Sequence, residues 1–264
     1  MASKTAHPLE LLREHATALE AAMTVVLANP RKPAVHKVRA LVRRLESQVE
    51  LLTQLAAMPS GSPEAEELQK RLRRLRRAAG RVRDLDVQRK TLKTHTSLPR
   101  RSALALREEL KTTRDEKAKK LQRVLIKQLP KIAGAIEQLV QSVGTANGLV
   151  LPDLRLLPLI ERWSQSHEEP MPPEQLDDDQ LHTVRKAAKT ARYMVENASG
   201  SAKAKHALEH YEEQQNAGGV WHDWLDLAAT SKDHFGKKHP LTRAAEEQSR
   251  LARARYVKLL KRSS

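Results

Sequence analysis

The sequence contains no cysteine. That excludes a disulfide framework, a thiolate metal site and a cysteine nucleophile, and it suits a reducing compartment. Aromatic residues are scarce as well, with three Trp, three Tyr and one Phe in 264 residues. So few rings offer little platform for stacking single-stranded bases. Nowhere do about 18 uncharged apolar residues run together, and the start "MASKTAHPLELLREHA" has no apolar signal region. The expectation is an unexported, cytoplasmic chain with no membrane partner.

Acidic residues are the next shortage. Asp and Glu number 32 against 48 Lys and Arg, a formal charge of +16. Such a chain attracts polyanions and repels itself unless something anionic is near. The length allows one large domain or two smaller ones.

Apolar residues recur with period 3.6 almost throughout, and sustained period 2 is absent, so the fold class is all-α. Breaks are expected at "NPRKP" (Asn29 to Pro33), "PSGSP" (Pro59 to Pro63), "SLP" (Ser97 to Pro99) and "GTANG" (Gly144 to Gly148). Three more are expected at "EEPMPPEQLDDD" (Glu168 to Asp179), "SGS" (Ser199 to Ser201) and "NAGG" (Asn216 to Gly219). They leave roughly eight to ten helices. Pro130 should kink or split its helix.

Two segments repeat one pattern. In "AVHKVRALVRRLE" a helix places His36, Arg39, Arg43 and Ser47 on one arc, opposite Val38, Leu41, Val42, Leu45 and Val49. In "QLHTVRKAAKTARYMVE" the arc of His182, Arg185, Lys186, Lys189 and Tyr193 lies opposite Val184, Ala187, Ala188, Ala191 and Val195. A second correspondence follows in the same order: Gly80-x-x-x-Asp84-Leu85 and Gly219-x-x-x-Asp223-Trp224. Internal duplication of a unit of about four helices accounts for both. The halves are expected at 1–147 and 148–264, with the seam near Gly144 to Gly148.

The motifs "VHKVRALVRRL", "GRVRDLDV", "LHTVRKAAKTARYMVE" and "GGVWHDWL", in that order, resemble the CHAD domain family, the conserved histidine α-helical domain. The likeness runs from about Ala34 to the C-terminus. It implies two four-helix bundles related by a pseudo-twofold axis, with a basic groove between them that binds inorganic polyphosphate, and it implies association with polyphosphate granules. No strand-rich segment with the Glu-x-Glu-x-Lys signature of a catalytic triphosphate-tunnel partner domain occurs in the chain. Lys189 and Thr190 stand where the first repeat has Arg43 and Arg44, so the second half is expected to bind less strongly.

Polyphosphate binding needs fixed cations. Arginine grips two oxygens at once and lysine acts as a movable point charge. The candidate site comprises His36, Lys37, Arg39, Arg43 and Arg44, then Arg73, Arg74, Arg77 and Arg81, then His182, Arg185, Lys186 and Lys189. The second group lies in "KRLRRLRRAAGRVR", which carries bases and no acid, although "SPEAEEL" before it and "DLD" after it also suit a merely solvated face. Free imidazole titrates near pH 6.5, so phosphates beside His36 and His182 should raise their pKa and tighten binding between about pH 8 and pH 6. A neutral ring that only orients its helix is the alternative.

Other residues read as scaffold. "LDDDQ" (Leu176 to Gln180) suits the cap and first turn of the His182 helix. Arg83-Asp84 with Asp86, and His222-Asp223, suit inter-helix salt bridges or caps rather than catalytic pairs, and His206, His210, His234 and His239 suit the surface. Trp163, Trp221 and Trp224 are expected to close the core of the second bundle. No cofactor, metal or catalytic residue is expected, since phosphoryl transfer usually needs carboxylate-held Mg²⁺ beside its substrate. Other polyanions remain candidate partners, and nucleic acid or the ribosome is the alternative reading, because duplex phosphates satisfy the same cations. No helix-turn-helix or zinc-finger pattern accompanies the bases.

Overall fold

A computed structural model describes residues 5–55, 62–143, 151–167, 169–198 and 200–263. Among them are eight helices: α1 (Pro8–Ala28), α2 (Lys32–Gln54), α3 (Pro63–Thr94), α4 (Arg100–Ser142), α5 (Asp153–Gln165), α6 (Asp178–Val195), α7 (Ala202–Phe235) and α8 (Pro240–Ser263). The only extended pairing in the described residues is a two-residue antiparallel contact, β1 (Thr5–Ala6) with β2 (Leu151–Pro152). The all-α expectation holds. The expected seam at Gly144 to Gly148 lies outside the described residues, as do Pro59 to Gly61, Glu168 and Ser199.

Local chemistry sets most helix ends. Prolines occupy the first turns of α1 and α2, where a missing N–H costs nothing. At the start of α6, Gln180 N donates to Asp177 Oδ1 at 2.8 Å and Asp177 N donates to Gln180 Oε1 at 3.0 Å, a reciprocal capping box. The acid-rich "LDDDQ" is therefore a helix start, as its sequence suggests. Past the end of α7, Gly236 takes a left-handed φ of 87°, which stops the helix at low steric cost.

One expected break is absent, and Pro130 does not split its helix. "NAGG" lies inside α7, which is continuous over 34 residues. A helical glycine costs about 1 kcal/mol relative to alanine, and a turn needs more than that. Here Trp221, Trp224 and Leu227 bury themselves on the C-terminal side of the glycines, and Tyr211 on the N-terminal side. Each large apolar side chain contributes about 1.5–3 kcal/mol, which outweighs two glycines. Pro130 likewise sits inside α4, a single helix of 43 residues. Its ring is exposed, while Leu121, Leu125, Ile132, Ile136 and Leu139 keep one face buried on both sides of it. That face exceeds the proline penalty of about 3 kcal/mol.

The chain forms two compact units. The first comprises Met1–Arg83, Lys117–Ser166 and Thr190–Glu209, and the second Asp84–Glu116, His167–Lys189 and His210–Ser264. These units interleave along the chain, whereas the halves expected from the repeat, 1–147 and 148–264, are continuous. Helix length accounts for this: α4, at 43 residues, is about 65 Å long, and α3, α4, α6 and α7 each pass from one unit into the other.

The first unit buries Leu12, Leu19 and Met23 of α1 with Val38, Val42 and Leu45 of α2, Leu68, Leu72 and Leu75 of α3, and Leu121 and Leu125 of α4. The apolar arc expected for α2 is the buried one. The second unit gathers Leu106 and Leu110 of α4, Leu181 of α6, Trp221, Trp224 and Leu227 of α7, and Leu241 and Tyr256 of α8. Trp163 departs from expectation. It is buried, but it belongs to the first unit, where its Nε1 donates to Glu50 of α2 at 3.0 Å. The tryptophan follows the helix that carries it rather than its place in the sequence half.

Candidate polyanion-binding rows

In the first unit the row begins on α2. His36, Arg39 and Arg43 are half-buried and Lys37 is exposed. The arc opposite the core is not an open face along its whole length, because Ser47 is 3% exposed. Tyr193 and Glu196 meet this end of α2 within the same unit. Arg44 donates from Nε to Glu196 Oε2 at 2.6 Å and from Nη2 to Oε1 at 3.3 Å. It also lies 5.4 Å from the centroid of the Tyr193 ring, and Arg192 lies 5.1 Å from the same ring. Tyr193, expected on the basic arc of α6, is buried here. Arg44 thus already has a carboxylate and an aromatic face.

Arg43 differs. Burial pushes its guanidinium down to about 10, with Arg39 and Arg76 acting in the same direction and Glu46 opposing them. It stays charged at neutral pH, as a cation whose surroundings do not fully compensate it. An anion would relieve that cost. Arg76 of α3 donates from Nε to Glu46 Oε1 at 2.9 Å, which anchors α3 to α2 beside Arg43. Arg73, Arg74, Arg77 and Arg81 are exposed on α3. Sequence reasoning assigned no role to Arg76, Glu46 or Glu196, because the acids that choose among adjacent arginines sit on other helices.

In the second unit the row lies on α6: His182, Arg185 and Lys189 are half-buried and Lys186 is exposed. Arg185 Nη2 lies 3.3 Å from His182 Nδ1. Arginine only donates, so Nδ1 must be the bare, accepting nitrogen and the ring must be neutral. The surroundings agree. Burial pushes His182 down to about 4, helped by Arg185, His222 and Lys186 and opposed by Asp226. His222 of α7 stands with its ring centroid 4.7 Å away, and its own Nδ1 lies 3.1 Å from Asp226 Oδ2. His222 was expected with Asp223 in an inter-helix salt bridge or cap, and it pairs within α7, with Asp226 one turn on.

The remaining scaffold residues divide as follows. Asp86 accepts from Arg114 Nε at 3.1 Å, an ion pair between α3 and α4 with both side chains nearly buried. His234 pairs with Glu109 at 2.7 Å. His239 Nδ1 accepts from Leu241 N at the start of α8, a capping role that its surface reading did not foresee. No described helix is long and apolar enough to cross a membrane.

Fixed cations at helix-face spacing can neutralise several consecutive anionic groups. A family model for the CHAD domain matches residues 10–231. Among solved structures, the CHAD domain from the plant Ricinus communis superposes with a TM-score of 0.68 at 19% identity, covering 98% of this chain and 88% of that one. PptA from Streptomyces chartreusis superposes with a TM-score of 0.58 at 14% identity, covering 97% and 96%. At these identities the likeness is one of fold. No curated protein matches the chain.

Proposed function

We propose, from the premise that this chain belongs to the CHAD domain family, that it binds inorganic polyphosphate through the α2 and α3 bases of its first unit and the α6 bases of its second. The observation that carries the reading is Arg43, a charged guanidinium pushed down by burial beside Arg39 and Arg76, for which an anion is the natural counter-ion. Residues 34–46 and 180–196 are read as copies of one duplicated segment, which is why both units carry a His-x-x-Arg row.

The proposed contacts in the first unit are Lys37, Arg39, Arg43, Arg73, Arg74, Arg77 and Arg81, with His36 beside them. Arg44 stays in the set as a cation shared with Glu196. In the second unit they are Arg185, Lys186 and Lys189, with His182. The role is binding rather than catalysis, and recruitment to polyphosphate granules follows from it. Nucleic acid is the competing polyanion, favoured only by the net charge of +16.

Calorimetric titration of the full chain decides between them, with long-chain polyphosphate, pyrophosphate, duplex DNA and single-stranded RNA at one ionic strength. Polyphosphate is expected to bind tightest and pyrophosphate weakly. Equal affinity for duplex DNA and long-chain polyphosphate removes the preference.

A further inference from the structure

In the second unit, three side groups surround the stem of Arg185. His182 Nδ1 faces its Nη2. A Cβ built on Gly218 of α7 would stand 2.9 Å from Arg185 Cγ, 3.0 Å from its Cδ and 2.9 Å from Tyr256 Cζ. The aliphatic stem therefore lies flat against the α7 backbone, in a slot that only a glycine leaves open. The far wall is the Tyr256 ring of α8, which is fully buried and stacks on Trp221 at 6.0 Å with an interplanar angle of 19°. That ring has nowhere to go. Gly219, the next residue, has nothing within 4 Å of the same construction.

We propose that His182, Gly218 and Tyr256 are positioning residues that hold Arg185 in its anion-binding rotamer before ligand arrives, His182 by accepting a hydrogen bond at Nδ1 and the other two by shaping the slot for its stem. The inference rests on the reading that Arg185 contacts polyphosphate and says how that contact is prepared. Arginine loses much rotamer freedom when it is fixed, and a side chain fixed in advance does not pay that entropy on binding. Among charged and titratable groups, Lys186 on the same helix and His222 and Asp226 on α7 face His182. A histidine serves here where a lysine would not, because the position needs an acceptor. The phenol oxygen of Tyr256 is buried with no hydrogen-bond partner among the described residues, so the ring acts by shape.

The test is titration of the full-length chain with long-chain polyphosphate at fixed salt, with unfolding temperature followed in parallel. Gly218→Ala is expected to weaken binding by about five- to tenfold, the order of cost for ordering one mobile side chain. Gly219→Ala is expected to bind as the wild type, although alanine is favoured at both helical positions. His182→Asn, whose Oδ1 falls where Nδ1 stood, keeps the acceptor and is expected to bind more tightly than His182→Lys. His182→Lys, which adds a charge but removes the acceptor, is expected to bind more weakly, and Tyr256→Phe to bind normally.

The proposal is overturned if His182→Lys binds more tightly than the wild type, or if folded Gly218→Ala binds as well as Gly219→Ala. Should Gly218→Ala fail to fold, the His182→Asn and His182→Lys pair decides alone. Arg185→Ala separates the two levels. If it binds normally, the α6 row is not a polyphosphate contact and both readings of it fall. If it binds weakly while the other variants are silent, only the positioning role falls.

Discussion

Polyphosphate binding that tightens from pH 8 to pH 6 through His182 requires an imidazole that titrates near its ordinary value, and the structure holds this one down to about 4 by burial, Arg185, His222 and Lys186. The folded-state pKa lies below the unfolded one, so between about pH 4 and pH 6.5 the unfolded chain binds more protons. The stability that the neutral ring contributes is fully present above pH 6.5 and is lost as pH falls toward 4. One pKa unit corresponds to about 1.4 kcal/mol, and a full shift of this size would be worth about 3 kcal/mol. The ring is only partly buried, so solvent screening reduces this to about 1–2 kcal/mol. For a chain of this length that is a fall of about 3–6 °C in unfolding temperature between pH 7 and pH 4. His15, also held down by burial, acts in the same direction, so the contribution of His182 is read as the difference from His182→Asn, which does not titrate. The imidazole proton resonances of the free protein should show a midpoint near pH 4 for His182. A midpoint at pH 6 or above, or an equal acid sensitivity in the Asn variant, would refute the burial argument. The consequence for binding is quantitative. For His182 to be half-protonated in the complex at pH 6, bound phosphate must raise its pKa by about two units, or about 2.7 kcal/mol. Wild type and His182→Asn are therefore expected to take up equal numbers of protons on binding at pH 7.

Asp86→Asn removes the buried carboxylate from the Arg114 guanidinium, which also lies 3.7 Å from the exposed Asp115, and is expected to destabilise the second unit by about 3 kcal/mol in thermal unfolding. Asp86→Leu with Arg114→Met is expected to recover most of that loss, and a double variant no better than the single would show that the pair is held for more than its charge. Gly80→Ala is expected to raise stability by about 0.5–1 kcal/mol, because the glycine is helical and nothing lies within 4 Å of the added methyl. A loss of stability there would mean that α3 packs more tightly than its geometry indicates. In polyphosphate titrations across salt, log K is expected to fall at about 0.7 per phosphate neutralised, so engagement of six to ten cations gives a slope of about −4 to −7. A slope shallower than −2 would mean that few of the named bases touch the ligand.

How much of this was legible in the sequence depends on whether the information was local. Helix identity was, because the period of Val38, Leu41, Val42, Leu45 and Val49 names the buried face of α2 without help from any other element. The start of α6 was legible for the same reason, since Asp177 and Gln180 cap one another within four residues. The compact units were not. The periodicity of a helix says which face is buried and nothing about whether its two ends belong to the same unit, and α3, α4, α6 and α7 each span two. Partner choice was equally hidden. Arg43 and Arg44 are adjacent and chemically identical, yet Arg44 meets Glu196, 152 residues away in sequence, while Arg43 meets Arg39 and Arg76.

The glycines of "NAGG" show the limit most sharply. Two consecutive glycines after Asn and Ala read as a turn because backbone freedom is the one local property glycine advertises. The structure uses the opposite property. Both residues are helical, and Gly218 matters for the side chain it lacks, since a methyl there would strike Arg185 and Tyr256. Gly219 meets nothing, and the two cannot be told apart without α6 and α8 in place. In the sequence repeat, Gly219 aligns with Gly80 and Gly218 therefore with Ala79, a buried residue that already carries the methyl. The first repeat thus carries at the corresponding position the methyl that Gly218 lacks. Pre-positioning of Arg185 is accordingly expected of the α6 row alone, in which Lys189 and Thr190 stand where the first repeat has Arg43 and Arg44. A row with fewer strong cations gains more from having its one well-placed arginine fixed in advance.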